Sequence, residues 1–349
     1  MHFWQTLTRP IIGLAPMDGV TDAAYRKVFD ICSHPDVLFS EFVPVEAIQA
    51  GAVKVLESFV AHETDIPTIG QIYGSSLDGY RLSTYVVCAL GFDGIDINMG
   101  CPAKSVAARG AGAGLIRIPD HACEIIKVVK QSVAEWFKGM TIDDIQISSA
   151  MKAELNRIKR TRKADISSIP VSVKTRIGYD MPTTREWIGR IAAEQPDALT
   201  IHGRTLKQLY SGEASWEEIA IAATTARSIA PNICVLGSGD ITSRDHAITN
   251  IQTYGLDGAL IGRATWGNPW IFTGHIPTKE ERLRIALTHA ELYAEMLPKG
   301  HFISLRKHMA WYMSGFHNAS VLRAQMLRIT SVADIAKIVE EGMMNKENF

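Results

Sequence analysis

Three residues that can carry chemistry stand at the ends of short apolar runs, and the first of them is Cys101. The run 94–98 alternates isoleucine with polar residues, and Gly100-Cys101-Pro102 prevents it from continuing as a strand. A thiol at the end of a strand is a candidate for proton transfer or nucleophilic attack. The other cysteines lack this setting and are expected to pack in the interior: Cys32, Cys88, Cys123 and Cys234.

Lys174 ends a second apolar run, and Arg176 follows it two residues later. Val171 and Val173 alternate with Lys174, so a strand here points the lysine to the face opposite the valines. Such a lysine either forms a Schiff base or acts as a fixed positive charge, and the residues alone leave both interpretations open. His202 ends a third run, where a histidine is a candidate for function because of its position.

Two glycine-rich segments, 237–241 and 262–263, end the last two runs. Glycine lets backbone N–H groups approach an anion closely, and barrels commonly bind phosphate after their last two strands. Simple tight turns are the competing interpretation. No two cysteines have C-x-x-C spacing, so we predict neither a zinc site nor any other metal site.

The elements that position these residues form a regular pattern. Alternation of apolar runs with helical patterns is typical of a doubly wound sheet or a (β/α)8 barrel, and a count of eight runs favours the barrel. In a barrel the carboxyl ends of all strands lie on one face, so we expect their polar residues to converge on one site. The eight runs are 11–17, 37–42, 68–73, 94–98, 171–174, 198–202, 233–236 and 258–261.

After residue 272 the pattern becomes purely helical. We therefore predict a catalytic barrel over residues 1–277 and a helical domain over residues 278–349. Ser331 and Asp334 resemble a capping box that opens the last helix, and Gly342 is placed to end it.

An insertion at about 138–168 separates the fourth run from the fifth. Its stretch Met151–Lys163 carries six basic residues against one acidic residue, a net 6 − 1 = +5. This stretch is either a solvated helix face or a contact for nucleic acid.

The net charge of −1 argues against a protein that coats nucleic acid, although it permits a locally basic face. The first residues have no basic segment followed by an apolar core, and no run of about 18 uncharged apolar residues occurs. We expect a cytoplasmic protein that does not enter membranes, and a monomer by default.

Taken in order, these motifs resemble those of the tRNA-dihydrouridine synthase family of the FMN-dependent, bacterial type. The resemblance covers nearly the whole chain, and the order and spacing of its blocks are more specific than any single block. The matching segments are 14–22, 71–74, 96–102, 173–176, 201–205, 209–216, 262–263, 267–272, 306–308 and 311–312.

The resemblance implies a barrel that binds FMN, takes hydride from NADPH and reduces uridines of tRNA to 5,6-dihydrouridine. It implies that Cys101 protonates carbon 5 of uracil while the flavin N5 atom delivers hydride to carbon 6. Lys174 is implied to place positive charge beside the flavin, with His202 close to the cofactor. The remaining implied cofactor residues are Pro16, Met17, Asp18, Gln71, Ser238, Gly239, Asp240, Gly262 and Arg263.

The family's substrate is a nucleotide of a folded RNA, which has to swing out before it can enter a barrel. Trp311 and Tyr312 either stack on the RNA or pack the helical core, and their spacing favours the core.

Two residues depart from the family pattern, since Asp18 stands where a small residue is usual and Ser238 where an asparagine is. The implied substrate residues are Asn98, Lys104, Arg176, Arg204, Arg306, Lys307 and His308.

Two other functions remain open from the sequence. A flavin barrel could reduce a small pyrimidine or a dihydroorotate-like substrate without RNA, but the helical domain argues against it. An RNA-binding protein without catalysis could act as a tRNA chaperone, but Cys101 and Lys174 argue against that.

Overall fold

A computed structural model of the chain describes residues 2–161 and 166–344. Its centre is one sheet of eight parallel strands, hydrogen-bonded in the order β1-β8-β7-β6-β5-β4-β3-β2. The strands are β1 (Ile11–Leu14), β2 (Leu38–Pro44), β3 (Thr68–Tyr73), β4 (Gly94–Met99), β5 (Val171–Arg176), β6 (Ala198–His202), β7 (Cys234–Ser238) and β8 (Gly258–Ile261).

Two backbone hydrogen bonds join β1 to the start of β2 and so close the sheet. The Leu14 N–H donates to the carbonyl of Val37 at 3.1 Å, and the Asp36 N–H donates to the carbonyl of Ile12 at 3.1 Å. The predicted (β/α)8 barrel is therefore confirmed. Three of the eight predicted runs coincide with strands at both ends, namely those that form β3, β6 and β8.

Helices follow the strands, as the alternating pattern predicts. Their bounds are α1 (Phe3–Thr6), α2 (Ala23–Cys32), α3 (Val45–Gln49), α4 (Leu77–Ala89), α5 (Lys104–Ala107), α6 (Pro119–Trp136), α7 (Ser149–Ile158), α8 (Thr184–Ala193), α9 (Trp216–Ile229), α10 (Arg244–Thr253), α11 (Lys279–Met296), α12 (Arg306–Tyr312), α13 (Ala319–Met326) and α14 (Val332–Met344). None of the helices in the described part of the chain has the length and apolar character needed to cross a bilayer.

Alternation along the strands divides the apolar residues into two layers. Ile97 and Val173 belong to the large cluster between strands and helices. Ile69 and Leu236 belong to a smaller cluster inside the barrel, which Trp4 closes from the amino-terminal end of the strands. We call this smaller cluster the barrel floor. Its opposite end, at the carboxyl ends of the strands, is the barrel mouth.

Helices α11 to α14 gather around an apolar cluster of their own, which also includes Ala24 and Val28 of α2. Thr278 caps α11 through a capping box with Glu281, so the helical region begins where the pattern changes. The domain boundary at 277/278 itself stays a prediction.

The last helix confirms one expectation and corrects another. The Asp334 N–H donates to the Ser331 hydroxyl, and the Asp334 carboxylate accepts from the Ser331 N–H, which is the predicted capping box. Gly342 does not end the helix, because α14 continues to Met344. A Cβ on Gly342 would lie 3.1 Å from a Leu283 methyl group, so this glycine allows α14 to pack closely on α11.

The insertion contains α7, and three of its basic residues pair with carboxylates, one of which, Asp93, lies outside the insertion. Lys152 pairs with Asp143 at 3.3 Å, and Arg160, with a side chain only 5% exposed, pairs with Asp93 at 3.2 Å. Arg157 pairs with Glu154 at 2.6 Å. These ion pairs favour a structural role over the contact with nucleic acid. Arg162 and Lys163, which were counted in the same stretch, lie outside the described residues.

Candidate active site

A chain of hydrogen bonds fixes the turn that carries Cys101. The Asn98 side-chain oxygen accepts from the N–H groups of Gly100 at 3.0 Å and Cys101 at 2.9 Å. The Asn98 amide donates to the Gln71 side-chain oxygen at 3.0 Å, and the Gln71 amide donates to Asp96 at 2.7 Å. The turn is therefore held from the barrel interior, and the side-chain amides of Asn98 and Gln71 form hydrogen bonds to other protein groups.

The Cys101 thiol lies at the mouth in a mainly apolar setting. The residue is 8% exposed and packs with Val106 and Ala111. Gly112 has φ +54°, and a Cβ there would lie 3.0 Å from the Cys101 Cβ. Burial raises the pKa of the thiol, which outweighs the lowering by Arg176 and Lys174. The thiol therefore stays protonated near neutrality, which suits a proton donor and not a thiolate nucleophile.

Asp96 is a residue of the site that the sequence interpretation did not select. It is fully buried and accepts hydrogen bonds from Ser172 and Gln71. Burial raises its pKa to about 6, although these hydrogen bonds and the nearby charge of Lys174 oppose the shift. Asp96 could have been selected from the segment 96–102, because a charged residue within the apolar run of a strand needs a partner.

Four cations gather at the carboxyl ends of β5, β6 and β8. Burial, followed by the charge of Arg176, lowers the pKa of Lys174 to about 8. Burial also lowers the pKa of Arg176 to about 10, and that guanidinium donates to the carbonyls of Gly100 at 2.8 Å and Thr205 at 3.1 Å. Because these cations repel one another, they form a region that favours an anion. The cations are Lys174, Arg176, Arg204 and Arg263.

Asp240 is the carboxylate that organises the β7 and β8 end of this region. It has φ +53° and accepts from Arg204, from Arg263 at 2.7 Å and from the Ala214 N–H at 2.8 Å. Because its oxygens are occupied by these donors, Asp240 is placed to hold the arginines. Arg204 is only 2% exposed, so the structure puts it beneath the mouth and not on the rim.

His202 and Gly239 lie between these cations and β7. Burial and four neighbouring cations lower the pKa of His202 well below its usual range, so its ring is neutral. The His202 Nδ1 atom is buried and has no partner among the described residues, and the same holds for one terminal nitrogen of Arg204. Gly239 has φ +129°, and a Cβ there would lie 2.6 Å from the Ala214 side chain.

The ends of β1 and β8 form the neighbouring part of the rim. Pro16 and Met17 are partly exposed, and the Met17 sulfur lies 3.8 Å from the point where a Cβ on Gly262 would stand. Ser238 is 5% exposed, and its carbonyl accepts from the Gly203 N–H at 3.1 Å. Asp18 is exposed and lies in the electrostatic field of Lys307, while its own charge raises the pKa of Cys101 further. The unusual Asp18 is therefore near enough to the thiol for its charge to act on it.

The predicted RNA contacts are not all accessible. Lys104 is exposed at the start of α5, and the Lys307 ammonium lies 3.2 Å from the point where a Cβ on Gly19 would stand. The Arg306 guanidinium donates to the carbonyl of Ile329 at 2.8 Å. The prediction for His308 is wrong: the residue is 1% exposed, and burial lowers its pKa well below the usual range. A buried neutral ring cannot supply charge to a phosphate.

Tyr210 is a second residue of the mouth that the sequence interpretation did not select. It is 64% exposed, and the Arg263 guanidinium lies 5.2 Å from the centre of its ring. Its phenol also lies in the field of Arg176. The block 209–216 was recognised as a whole, but its pattern does not show that the aromatic ring faces the mouth.

A (β/α)8 barrel whose reactive side chains gather at the carboxyl ends of its strands has the layout of a barrel enzyme. The family model described as dihydrouridine synthase matches residues 13–143 and 149–347. A probable tRNA-dihydrouridine synthase of Staphylococcus epidermidis is 32% identical over 97% of this chain and 95% of its own length. A probable tRNA-dihydrouridine synthase 2 of Bacillus subtilis is 30% identical over 97% of this chain and 96% of its own length. The chain belongs to the dihydrouridine synthase family.

Among solved structures, the DHODH of Eimeria tenella in complex with ferulenol is similar to a part of the chain. The TM-score is 0.42 at 15% identity, over 61% of this chain and 57% of that one. A similarity of this size carries no argument about the site, so the family membership rests on the sequence comparisons.

Proposed function

We propose that this chain reduces uridines of tRNA to 5,6-dihydrouridine, with FMN as cofactor and NADPH as electron donor. Membership of the dihydrouridine synthase family gives the reaction class. The observation that carries the proposal is the Cys101 thiol in a turn at the barrel mouth, where the Arg176 guanidinium donates to the carbonyl of the preceding Gly100 at 2.8 Å and burial raises the thiol pKa. A reduction across a carbon–carbon double bond needs a proton donor next to a hydride source, and this arrangement provides for both.

The residues present fit FMN. Four cations with few carboxylate partners favour its phosphate and the negative charge of its reduced ring. The Arg204 nitrogen without a described partner can donate a hydrogen bond to a ligand, and the His202 Nδ1 atom without one can donate or accept according to its tautomer. We expect Arg263, Gly239 and Gly262 to hold the phosphate, with Asp240 fixing the arginine, and Lys174 to stand beside the ring. When bound, FMN supplies hydride after it has been reduced by NADPH.

Cys101 has the role of general acid in this proposal. Its raised pKa keeps the proton on the sulfur until the uracil carbon 5 becomes basic enough to take it. Asn98 orients the turn through two backbone N–H groups, and Gln71 and Asp96 orient Asn98 in turn. The thiol can be reloaded from solvent, because the residue is at the mouth and not in the floor.

The substrate must enter the mouth as an extruded nucleotide, since a base within folded RNA cannot reach Cys101. Lys104 is exposed on the helix that follows the thiol, and Lys307 lies next to Gly19 on the opposite rim. We infer that these lysines meet phosphates that flank the extruded uridine.

The test is to incubate the purified holoprotein with an unmodified tRNA transcript, FMN and NADPH, and to quantify dihydrouridine by mass spectrometry. We expect dihydrouridine at defined positions, and a yellow protein whose flavin spectrum bleaches with NADPH. A protein that never binds FMN would contradict the proposal. Reduction of free uracil at the same rate as of tRNA, unchanged by removal of residues 278–349, would instead support a small-pyrimidine reductase.

A further inference from the structure

Two tryptophan rings are stacked at the surface between the barrel and the helical region. The indoles of Trp266 and Trp311 have centroids 4.6 Å apart and planes that differ by 2°. Trp266 is 40% exposed and Trp311 is partly buried, so Trp266 forms the outer layer of the stack. Trp266 therefore presents part of its indole to solvent, with the second indole packed beneath it.

The stacked pair borders the barrel mouth. Trp266 follows the short 3-10 helix Arg263–Thr265, which begins two residues after β8. A Cβ on Gly267 would lie 2.1 Å from the Trp311 carbonyl, so the loop after β8 runs directly against the end of α12. Lys307 lies one helical turn before Trp311 and reaches Gly19 in the loop after β1. Because β1 and β8 are adjacent strands, one rim carries both the indoles and this lysine.

Two cations, Arg282 and Lys307, flank the pair, and the exposed Asp18 lies in the electrostatic field of Lys307. The Arg282 guanidinium donates to the carbonyl of Gly267 at 2.9 Å, next to Trp266 in the chain. Within residues 2–161 and 166–344, no carboxylate oxygen lies within 4.0 Å of the charged nitrogens of Arg282 or Lys307. Arg263, three residues before Trp266, shares the Asp240 carboxylate with Arg204. A flat apolar surface flanked by cations that have no carboxylate within ion-pair distance matches a nucleotide, which has a flat base and an anionic phosphate.

We propose that Trp266 is a stacking platform for one unpaired base of the RNA, a base other than the uridine that reacts. The inner indole, Trp311, holds the outer ring flat and fixes its position on the rim. Arg282 and Lys307 meet the phosphates on either side of the stacked base. This inference rests on the proposed function, because it places the tRNA across the mouth.

Three substitutions at one position separate stacking from packing. Trp266→Leu keeps an apolar side chain against Trp311 but removes the aromatic face, Trp266→Phe keeps a smaller ring, and Trp266→Ala removes both. Ile276→Ala is the matched control, because Ile276 is an exposed apolar residue of the segment that follows, at 88% exposure. Binding of an unmodified tRNA transcript to each holoprotein is measured at fixed salt, together with thermal unfolding and the rate of flavin bleaching by NADPH.

Base stacking on an aromatic side chain is worth about 1–3 kcal/mol, which corresponds to about 5- to 150-fold in affinity. We expect Trp266→Leu to weaken tRNA binding and to raise KM for tRNA within that range. We expect Trp266→Phe to restore most of the affinity, and bleaching by NADPH and kcat to stay unchanged in both. Binding of tRNA to the unsubstituted protein should quench its tryptophan fluorescence, and Trp266→Phe should reduce that quenching.

Affinity of Trp266→Leu within twofold of the unsubstituted protein would overturn the stacking platform and leave the proposed function intact. A loss shared equally by the leucine and phenylalanine variants would overturn it as well, since the aromatic ring would then not matter. If the unsubstituted holoprotein bound no tRNA, the proposed function would fail first and the platform with it.

Discussion

Two groups of basic residues in this chain look alike in sequence and differ in space. In the insertion, Lys152, Arg157 and Arg160 each have their own carboxylate partner. At the barrel mouth, four cations share the Asp240 carboxylate and the charge of Asp96, and burial together with a neighbouring cation lowers the pKa of Lys174 and of Arg176. The number of basic residues in a segment therefore does not predict whether the segment binds an anion. The number of positive charges without a carboxylate partner is the better indicator.

The two groups also differ in how their buried members are paired. Arg160 is buried to complete an ion pair, which holds the insertion against the turn before β4. Lys174 is partly buried and makes no hydrogen bond to a described residue, so that only the nearby charge of Asp96 offsets the cost of removing its ammonium from water. Such a cost is sustained where a ligand supplies the missing partner. The following substitutions test this contrast.

Cys101→Ala should have the largest effect on activity. A positioned general acid contributes about 10²- to 10⁴-fold to a rate, so we expect kcat for dihydrouridine formation to fall by that factor. FMN binding should not change, because the thiol is assigned no contact with the phosphate. Cys123→Ala is the control, since Cys123 is buried away from the mouth at 5% exposure. Activity of Cys101→Ala within tenfold of the parent would remove the acid role.

Arg160→Ala should have the largest effect on stability. Removal of one partner from a buried ion pair leaves the other charge uncompensated, and we expect about 3–5 kcal/mol loss in the free energy of unfolding. Arg157→Ala is a matched control in the same stretch, because its pair is 46% exposed on the arginine side and is worth under about 1 kcal/mol. Urea denaturation measures both values. Equal losses for the two variants would show that burial of the pair does not decide its contribution.

Lys174→Met should weaken FMN binding by about 10- to 100-fold, since a charge-assisted contact contributes about 1.5–3 kcal/mol. The pKa of about 8 gives a second readout. The ammonium is charged below pH 8 and loses its charge as the pH rises through that value, so FMN affinity of the apoprotein should fall there. Lys174→Arg should retain affinity above pH 8, because a guanidinium stays charged. Titration of FMN fluorescence measures these affinities, and a pH-independent affinity in the unsubstituted protein would contradict the assignment.

The double substitution Lys152→Ala and Arg157→Ala should have the smallest effect. Both side chains are paired with carboxylates, so we expect KM for tRNA to stay within about twofold of the parent. Lys104→Ala is the comparison on the exposed mouth, where a phosphate contact should raise KM several-fold. A tenfold rise in KM for the double variant would restore the insertion as an RNA contact.

Local patterns were enough to predict the barrel and several of its details. The alternation of Val171, Val173 and Lys174 gave the correct face for the lysine, and the Ser331 and Asp334 pair predicted the start of the last helix. These features depend on residues close in sequence, where periodicity and capping geometry apply. The assigned roles of Cys101 and the cofactor residues stay predictions.

Other features depend on partners far apart in the chain. Arg160 meets Asp93 across 67 residues, and Asp240 joins Arg204 across 36 residues. The family resemblance of the segment 306–308 implied that His308 contacts RNA, yet the fold buries it among Tyr25, His289 and Trp311. Glycine is common where helices end, but at Gly342 the missing side chain instead allows close packing against Leu283. Charge compensation and burial are properties of the assembled fold, which one sequence does not display.

The contact between Gly267 and the Trp311 carbonyl joins barrel to helices through main chain, with no room for even a methyl group between them. Flexible side chains would let the two parts shift, whereas touching backbones hold them at a constant separation. In the proposed function, this contact fixes where nucleotides bound by the helices lie relative to the barrel mouth.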